Sequence, residues 1–389
     1  MALDLVTLGV GRMGLFMVAA VLIGALPPAG SAAPGQAPGG SNKAATWPPF
    51  QLAAESNPRT ARVDAPPRKV VIGTVCHHMY GEFPGLEARC EELKARVEEM
   101  EKQARAKYNC GLDLVVLSEF SLNDMKQPLA MQALTLDSPG FVYFQKLARE
   151  HHTYLVIPSI ITAGGKYYNS AVLLDRQGAM LGRYDKAHPV PDEPPAETFE
   201  GGVTPGMSFP VFDCDFGRLG LQICFDYMHE EGWHELAMQG AEIVAWPTQS
   251  PSVTVAAARA VNNRIFIVSS TWRNDAVVIE PTGRLAAELR PTGEKVSPQE
   301  DVLVTQIDLE YRLLPWDSKL DNGEALKRKF GNDVGFRFYP EEDWGIFWSN
   351  NPAVPIDTMV RWLGIWTQDQ YEATARQHLA RARAQAQGK

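Results

Sequence analysis

The chain has 389 residues, of which 37 are Lys or Arg and 46 are Asp or Glu, for a formal charge of −9; 45% are hydrophobic and 21% charged. These proportions belong to a globular protein and exclude a disordered or collagen-like chain. A net acidic chain lacks the basic footprint that neutralises phosphates, so no nucleic-acid partner is expected.

Residues 13–26 (MGLFMVAAVLIGAL) form an uncharged apolar run preceded by Arg12 and followed by Pro27, Pro28 and small residues. This is the three-part form of a secretory signal, with Ser31 and Ala33 at the −3 and −1 positions, so residues 1–33 are expected to be a signal peptide. The run is shorter than the roughly 20 apolar residues of a bilayer span. An uncleaved membrane anchor is the alternative, and either one exports the body to the periplasm or the exterior. Residues 34–68 are rich in Pro, Gly, Ala and Ser without an apolar period and read as a linker. Five cysteines (Cys76, Cys90, Cys110, Cys214, Cys224) are too few for a disulfide scaffold, and an odd count leaves at least one thiol unpaired even in an oxidising compartment.

From residue 69 strand and helix signals alternate. VVIGTV (70–75) is a β-branched run. Leu86, Cys90, Leu93, Val97, Met100 and Ala104 recur at gaps of four and three, which puts one apolar stripe on a long helix ending near Asn109 and Gly111, with Cys90 facing the core. Strands are expected over 112–120 (LDLVVLSEF), 154–161, 167–175 and 180–186, with a helix over 139–151. Further strands are expected over 219–225 (LGLQICF), 242–248, 265–271, 276–281 and 302–309, with helices through 233–238 and over 253–263. Strands alternating with helices, interrupted by strand pairs on short turns, predict a layered α/β sandwich with mixed sheets. After residue 312 the sequence turns aromatic-rich and irregular, then forms a short Arg- and Ala-rich helix to Lys389, and reads as a C-terminal tail over 313–389 that wraps the domain or a partner subunit.

Three segments put a reactive side chain at the end of an apolar strand: Glu119 in VVLSEF, Lys186 in GRYDKAHPV and Cys224 in LQICFDY. Strand ends that open into loops are where α/β folds place their sites. Taken singly, a Cys after a strand is a core filler and a strand-end Glu or Lys is solvated. Taken together they supply a thiol nucleophile, a base to ionise it and a cation for the oxyanion formed on attack.

Over residues 69–312 the sequence resembles the nitrilase or carbon–nitrogen hydrolase superfamily. Its Glu-Lys-Cys triad falls on Glu119, Lys186 and Cys224, with supporting matches in YNSAVLLD, GAEIVAWPT, ARAVNNRIFIVSS and IEPTGRL. The resemblance implies a four-layer αββα sandwich, assembly into a homo-oligomer, no metal or organic cofactor, and hydrolysis of a non-peptide C–N bond in a small amide or N-carbamoyl amine. It implies Glu119 as general base, Cys224 as the nucleophile that forms a thioester, and Lys186 with the backbone N–H of Phe225 as oxyanion donors. No His is required, so the pairs His77-His78 and His151-His152 are assigned to structure or surface. The family also places a second carboxylate after its Lys. Glu193, Glu197 and Glu200 are candidates, and Glu197 is chosen because Thr198 and Phe199 follow it. Phe225-Asp226 after the nucleophile departs from the Trp-Glu of nitrilases proper and points to the amidase and carbamoylase branches. Tyr227, Met228 and His229 stand where carbamoylases of amino acids carry an Arg for the substrate carboxylate, and Tyr227 is taken as substrate-facing. Acyl transfer to an amine by the same Cys, and a non-catalytic binding protein on the same fold, remain as alternatives.

Overall fold

The computed structural model describes residues 62–291 and 297–387. The apolar run 13–26, and with it the signal-peptide expectation and most of the expected linker, lies outside the described residues.

Twelve strands form the body in chain order: β1 (Lys69–Val75), β2 (Leu114–Val116), β3 (Tyr154–Ala163), β4 (Lys166–Leu174), β5 (Met180–Asp185), β6 (Val211–Cys214), β7 (Gly217–Leu221), β8 (Ile243–Pro247), β9 (Phe266–Ser270), β10 (Ala276–Ile279), β11 (Leu285–Leu289) and β12 (Val302–Asp308). They build two six-stranded mixed sheets, ordered β12-β1-β2-β3-β4-β5 and β11-β10-β9-β8-β7-β6. β1, β2 and β3 run parallel, as do β7, β8 and β9.

Alternation along each strand sorts the side chains into layers. Val70, Ile72, Leu114 and Val116 of the first sheet meet Leu219, Leu221, Ile243, Ala245 and Val268 of the second in the central core. On the opposite face, Val71 and Val115 pack with Leu93, Val97 and Met100 of helix Leu86–Tyr108 and with Phe141 and Phe144 of helix Pro139–His151. Val244 and Trp246 of β8 pack under helices Glu230–Met238 and Val253–Asn263. The result is the expected αββα sandwich. Burial of both faces of each sheet explains why these strands read as continuous apolar runs.

The long helix ends where the sequence signals it, with Asn109 in the left-handed conformation at φ 56° closing the last turn. Two strands are shorter than expected. The run 112–120 is strand only over Leu114–Val116, and the strand expected over 219–225 instead runs Gly217–Leu221. In both, the chain leaves the ladder just before its reactive residue. All five cysteines are free thiols.

The tail departs most from its reading. Instead of irregular chain, β13 (Arg312–Pro315), β14 (Val334–Tyr339) and β15 (Trp344–Ser349) form a sheet of order β13-β15-β14. Helices Glu324–Phe330 and Ile356–Leu363 complete a small separate core with Leu314, Leu326, Phe347, Ile356 and Met359. The aromatic residues that looked irregular alternate in short strands, with Phe336 and Phe338 packed on that core. Residues 62–68, expected within the linker, are held down: Arg312 donates to the Arg62 carbonyl at 2.9 Å, and Arg68 pairs with Glu242 at 2.5 Å and Glu310 at 2.9 Å.

The tail sheet is joined to the body at Glu280, a fully buried carboxylate that accepts from Arg337 Nε at 2.7 Å and from the Thr282 hydroxyl at 2.6 Å. Removing one partner of a buried ion pair leaves the other charge uncompensated. Because Arg337 is itself 34% exposed and Glu280 keeps its bond from Thr282, Arg337→Ala is expected to lower stability by about 2 kcal/mol. Chemical denaturation measures this, and an unchanged midpoint would mean that Glu280 does not depend on the tail.

Candidate functional site

Glu119 sits on an excursion between two points where the chain is still tied to β3: Leu117 N–H donates to the Val156 carbonyl at 3.1 Å and Ser121 N–H to the Pro158 carbonyl at 3.0 Å. Phe120 takes φ 58° to make the turn. Hydroxyls stitch this excursion to the second sheet. Ser270 donates to the Leu117 carbonyl at 2.7 Å and Ser118 to the Thr271 carbonyl at 3.0 Å, while the Trp272 indole holds the Glu119 carbonyl at 2.8 Å. The carboxylate is fully buried. Its Oε1 accepts from Asn169 Nδ2 at 2.9 Å and Lys186 Nζ at 3.0 Å, and its Oε2 has no hydrogen-bond partner among the described residues. Burial pushes its pKa above the usual carboxylate range; Lys186 pulls it down and Glu200 pushes it up.

Lys186 follows β5 and is anchored by its own N–H, which donates to the Asn169 carbonyl at 2.8 Å. Its ammonium, 1% exposed, meets Glu119 at 3.0 Å and Glu200 Oε1 at 2.6 Å. Burial lowers its pKa, but the charges of Glu119, Cys224 and Glu200 outweigh burial, and the net shift is upward. The carboxylate expected at Glu197 is therefore supplied by Glu200. Glu193 and Glu197 are both exposed, on a loop that closes on itself through Asp192, whose carboxylate accepts from Thr198 at 2.6 Å and from Gly201 N–H at 3.0 Å. Glu200 takes φ 45° ahead of Gly201 and Gly202, and its side chain is held by Val190 N–H and Asn169 Nδ2, each at 3.0 Å.

Cys224 opens a short 3₁₀ turn, Cys224–Met228, directly after β7 and Ile223. Its φ of 41° is left-handed, a conformation costing on the order of 1–3 kcal/mol that neighbours must impose. Two do so: the Trp246 indole donates to the Cys224 carbonyl at 3.0 Å, and the Asp226 carboxylate accepts from Ile223 N–H at 2.8 Å. Asp226 is fully buried and also accepts from the Tyr184 hydroxyl at 2.8 Å and from the His188 N–H at 2.9 Å, and it contacts His188 Nδ1 at 2.9 Å. It thus clamps the nucleophile's turn to the segment that carries Lys186. Burial pushes the Cys224 thiol up to about 12, with the Glu119 charge adding to the rise and Lys186 opposing it. The thiol lies within electrostatic reach of both.

The structure thus brings Glu119, Lys186 and Cys224 together and adds Glu200, Asn169 and Asp226. It does not place Tyr227 with them: that ring lies 5.9 Å from Trp246 and 6.4 Å from Phe225, against the outer helical layer. Asn169 lies in the YNSAVLLD segment, and the Glu-Gly-Gly of 200–202 was the available sign that position 200 sits in a left-handed turn. Among the described residues, no group of three or more His, Cys, Asp or Glu side chains is placed to hold a metal ion.

A buried carboxylate, ammonium and thiol thus meet at the strand ends of an αββα sandwich. The family model for carbon–nitrogen hydrolases matches residues 84–312, and the chain belongs to that family. It is a hydrolase of C–N bonds other than peptide bonds, in the amidase branch of the nitrilase superfamily. It is similar to N-carbamoylputrescine amidase of Solanum tuberosum, 26% identical over 259 residues that cover 57% of this chain and 83% of the relative. It is also similar to human omega-amidase NIT2, 28% identical over 179 residues covering 42% of this chain and 65% of the relative. The fold matches the crystal structure of a carbon–nitrogen hydrolase from Helicobacter pylori G27 with TM-score 0.51 and 20% identity, covering 62% of this chain and 90% of that one.

Three variants test this geometry. Glu200→Gln is expected to cost at least about tenfold in kcat, whereas Glu197→Gln stays within about twofold, since only the first removes a charge on Lys186. The reverse pattern would restore Glu197. Asp226→Asn keeps the side chain's shape but loses an acceptor; a kcat loss of about a hundredfold with KM little changed is expected from displacement of the nucleophile.

Proposed function

We propose that the chain hydrolyses a small amide or N-carbamoyl amine through a thioester on Cys224. The observation that carries this reading is the Lys186 ammonium, held between Glu119 and Glu200 within reach of the Cys224 thiol. Glu119 takes the thiol proton as sulfur bonds to the substrate's carbonyl carbon. The negative charge that develops on the carbonyl oxygen is met by Lys186 and the Phe225 N–H. The C–N bond then breaks and Glu119 returns the proton to the departing amine. Water attacks the thioester, Glu119 takes its proton and passes it to the departing sulfur, and the acid and free thiol are released. Glu119 Oε2, which accepts no hydrogen bond among the described residues, is the oxygen available to carry the proton.

The relatives named for N-carbamoylputrescine and omega-amide substrates support the amide and carbamoyl classes. For the compartment we propose export, on the apolar run 13–26 alone. An N-terminus beginning after Ala33 in material recovered outside the cytoplasm supports it; Met1 retained in a soluble intracellular pool contradicts it.

Cys224→Ala is expected to abolish turnover of any amide that the wild type cleaves, and Glu119→Gln to lose at least about a hundredfold, because the amide cannot accept the thiol proton. Acid-quenched intact-mass measurement should find an acyl or carbamoyl adduct on the peptide bearing Cys224. Activity of Cys224→Ala within about tenfold of wild type overturns the thioester route. With Glu119 raised by burial, the acid limb of kcat/KM is expected above the ordinary Glu value of about 4.3. A limb at or below that value would mean that another group is the base.

A further inference from the structure

A second site lies in the tail. A cleft of about 610 Å³ opens between the start of the segment after β13, the turn before β15 and the first turn of helix Gln368–Ala386, a volume within the range of small-ligand pockets. Its walls carry Trp316, Trp344, Trp366 and Tyr371 together with the carboxylates of Asp317, Glu342 and Asp343; among the described residues no Lys or Arg is one of its lining residues, although Arg264 lies 4.7 Å from the Trp344 ring and Lys319 donates to the Gly364 carbonyl at 3.2 Å.

Two of the cleft's tryptophans, Trp316 and Trp366, are set apart from Trp344 in the same wall and from Trp348 and Trp362 elsewhere in the tail. Trp344 has the Arg264 guanidinium 4.7 Å from its ring, Trp348 has Arg337 at 4.9 Å and Lys69 at 5.7 Å, and Trp362 has Lys329 at 5.5 Å. Trp316 and Trp366 have no such cation among the described residues, and both line the cleft with more than half of their surface exposed, 59% and 54%. Large aromatic surfaces gathered in one exposed place mark a binding site, whereas scattered ones do not.

The carboxylates point the same way. Glu342 shares Arg284 with Glu341. The Asp317 carboxylate accepts from the Lys319 backbone N–H at 2.7 Å, and among the described residues neither Asp317 nor Asp343 has an ion-pair partner. Backbone bonding keeps the walls together, since Trp316 N–H donates to the Asp343 carbonyl at 2.6 Å. The helix that contributes Tyr371 starts with the reciprocal Thr367–Gln370 cap, which satisfies the Thr367 and Gln370 amides, and its dipole offsets these carboxylates by at most about half a charge.

Open aromatic faces beside unpaired carboxylates attract a cation that is weakly hydrated and carries apolar substituents. We propose that the tail cleft binds a small organic cation bearing an alkylammonium group. This site is separate from the hydrolytic one and does not depend on the chemistry assigned there.

The test is titration of the full chain with choline, followed by tryptophan fluorescence and calorimetry, against dimethylbutanol, its uncharged carbon isostere. Saturable choline binding at least about tenfold tighter than the isostere is expected, weakening as salt rises. Trp366→Ala and Asp343→Asn should each weaken it about tenfold while leaving amide hydrolysis and the melting transition unchanged; Asn tolerates the left-handed φ of 55° at that position. Equal binding of choline and isostere would make the cleft a plain apolar groove and overturn the proposal. So would no saturable binding, or binding of a neutral oligosaccharide lost in the same two variants.

Discussion

Everything at the hydrolytic site depends on one buried ammonium. Lys186 is 1% exposed, and withdrawing such an ion from water costs several kcal/mol unless charge and hydrogen bonds surround it. Glu119 and Glu200 surround it at 3.0 and 2.6 Å, and Asn169 bridges both carboxylates. Two carboxylates around one ammonium leave one net negative charge in a dry place. Burial is the larger reason why Glu119 lies above the ordinary carboxylate range and the neighbouring thiol is pushed up to about 12, and the excess charge, through Glu200 on Glu119 and through Glu119 on the thiol, adds to it. The proposed mechanism uses that balance: the thiol proton leaves only as the substrate carbonyl develops the negative charge that Lys186 can meet.

Holding the cluster together requires the two sheets to stay in register at their strand ends. Thr74, Ser118 and Ser270 do this with hydroxyls that cross from one sheet to the other, at 2.6, 3.0 and 2.7 Å. Each site segment then turns sharply out of its strand or loop. Phe120, Glu200 and Cys224 all adopt left-handed backbone without being glycine, at 58°, 45° and 41°. Such conformations persist where surrounding contacts over-determine them. Here the contacts are the Trp272 and Trp246 indoles, the Val190 amide and the Asp226 carboxylate.

How much of this could be read in advance follows from the same facts. The strands, the layers and the triad are local patterns: apolar runs, a stripe at gaps of three and four, and a reactive residue at the end of a run. Glu200 is different. Three carboxylates lie within eight residues of one loop, and the choice among them is made by a turn through Asp192 that places Glu200 beside Val190 and leaves Glu197 in solvent. Asp226 was visible as a neighbour of the nucleophile but not as a clamp, because its partners Tyr184 and His188 come from a distant segment. The tail was misread because its strands are only four to six residues long and are broken by glycines and 3₁₀ turns, which hides a period of two.

The central claim is that the Cys224 thiol is neutral until substrate arrives, with Glu119 rather than an ion pair to Lys186 governing its proton. The most direct measurement is the ultraviolet absorbance of the thiolate across pH, taken as the difference between the wild type and Cys224→Ser. The account predicts no thiolate signal at neutral pH and its appearance only at strongly alkaline pH, toward the value of about 12. A full thiolate signal already present at neutral pH would contradict it, since the nucleophile would then be a standing thiolate–ammonium pair with no need of a base.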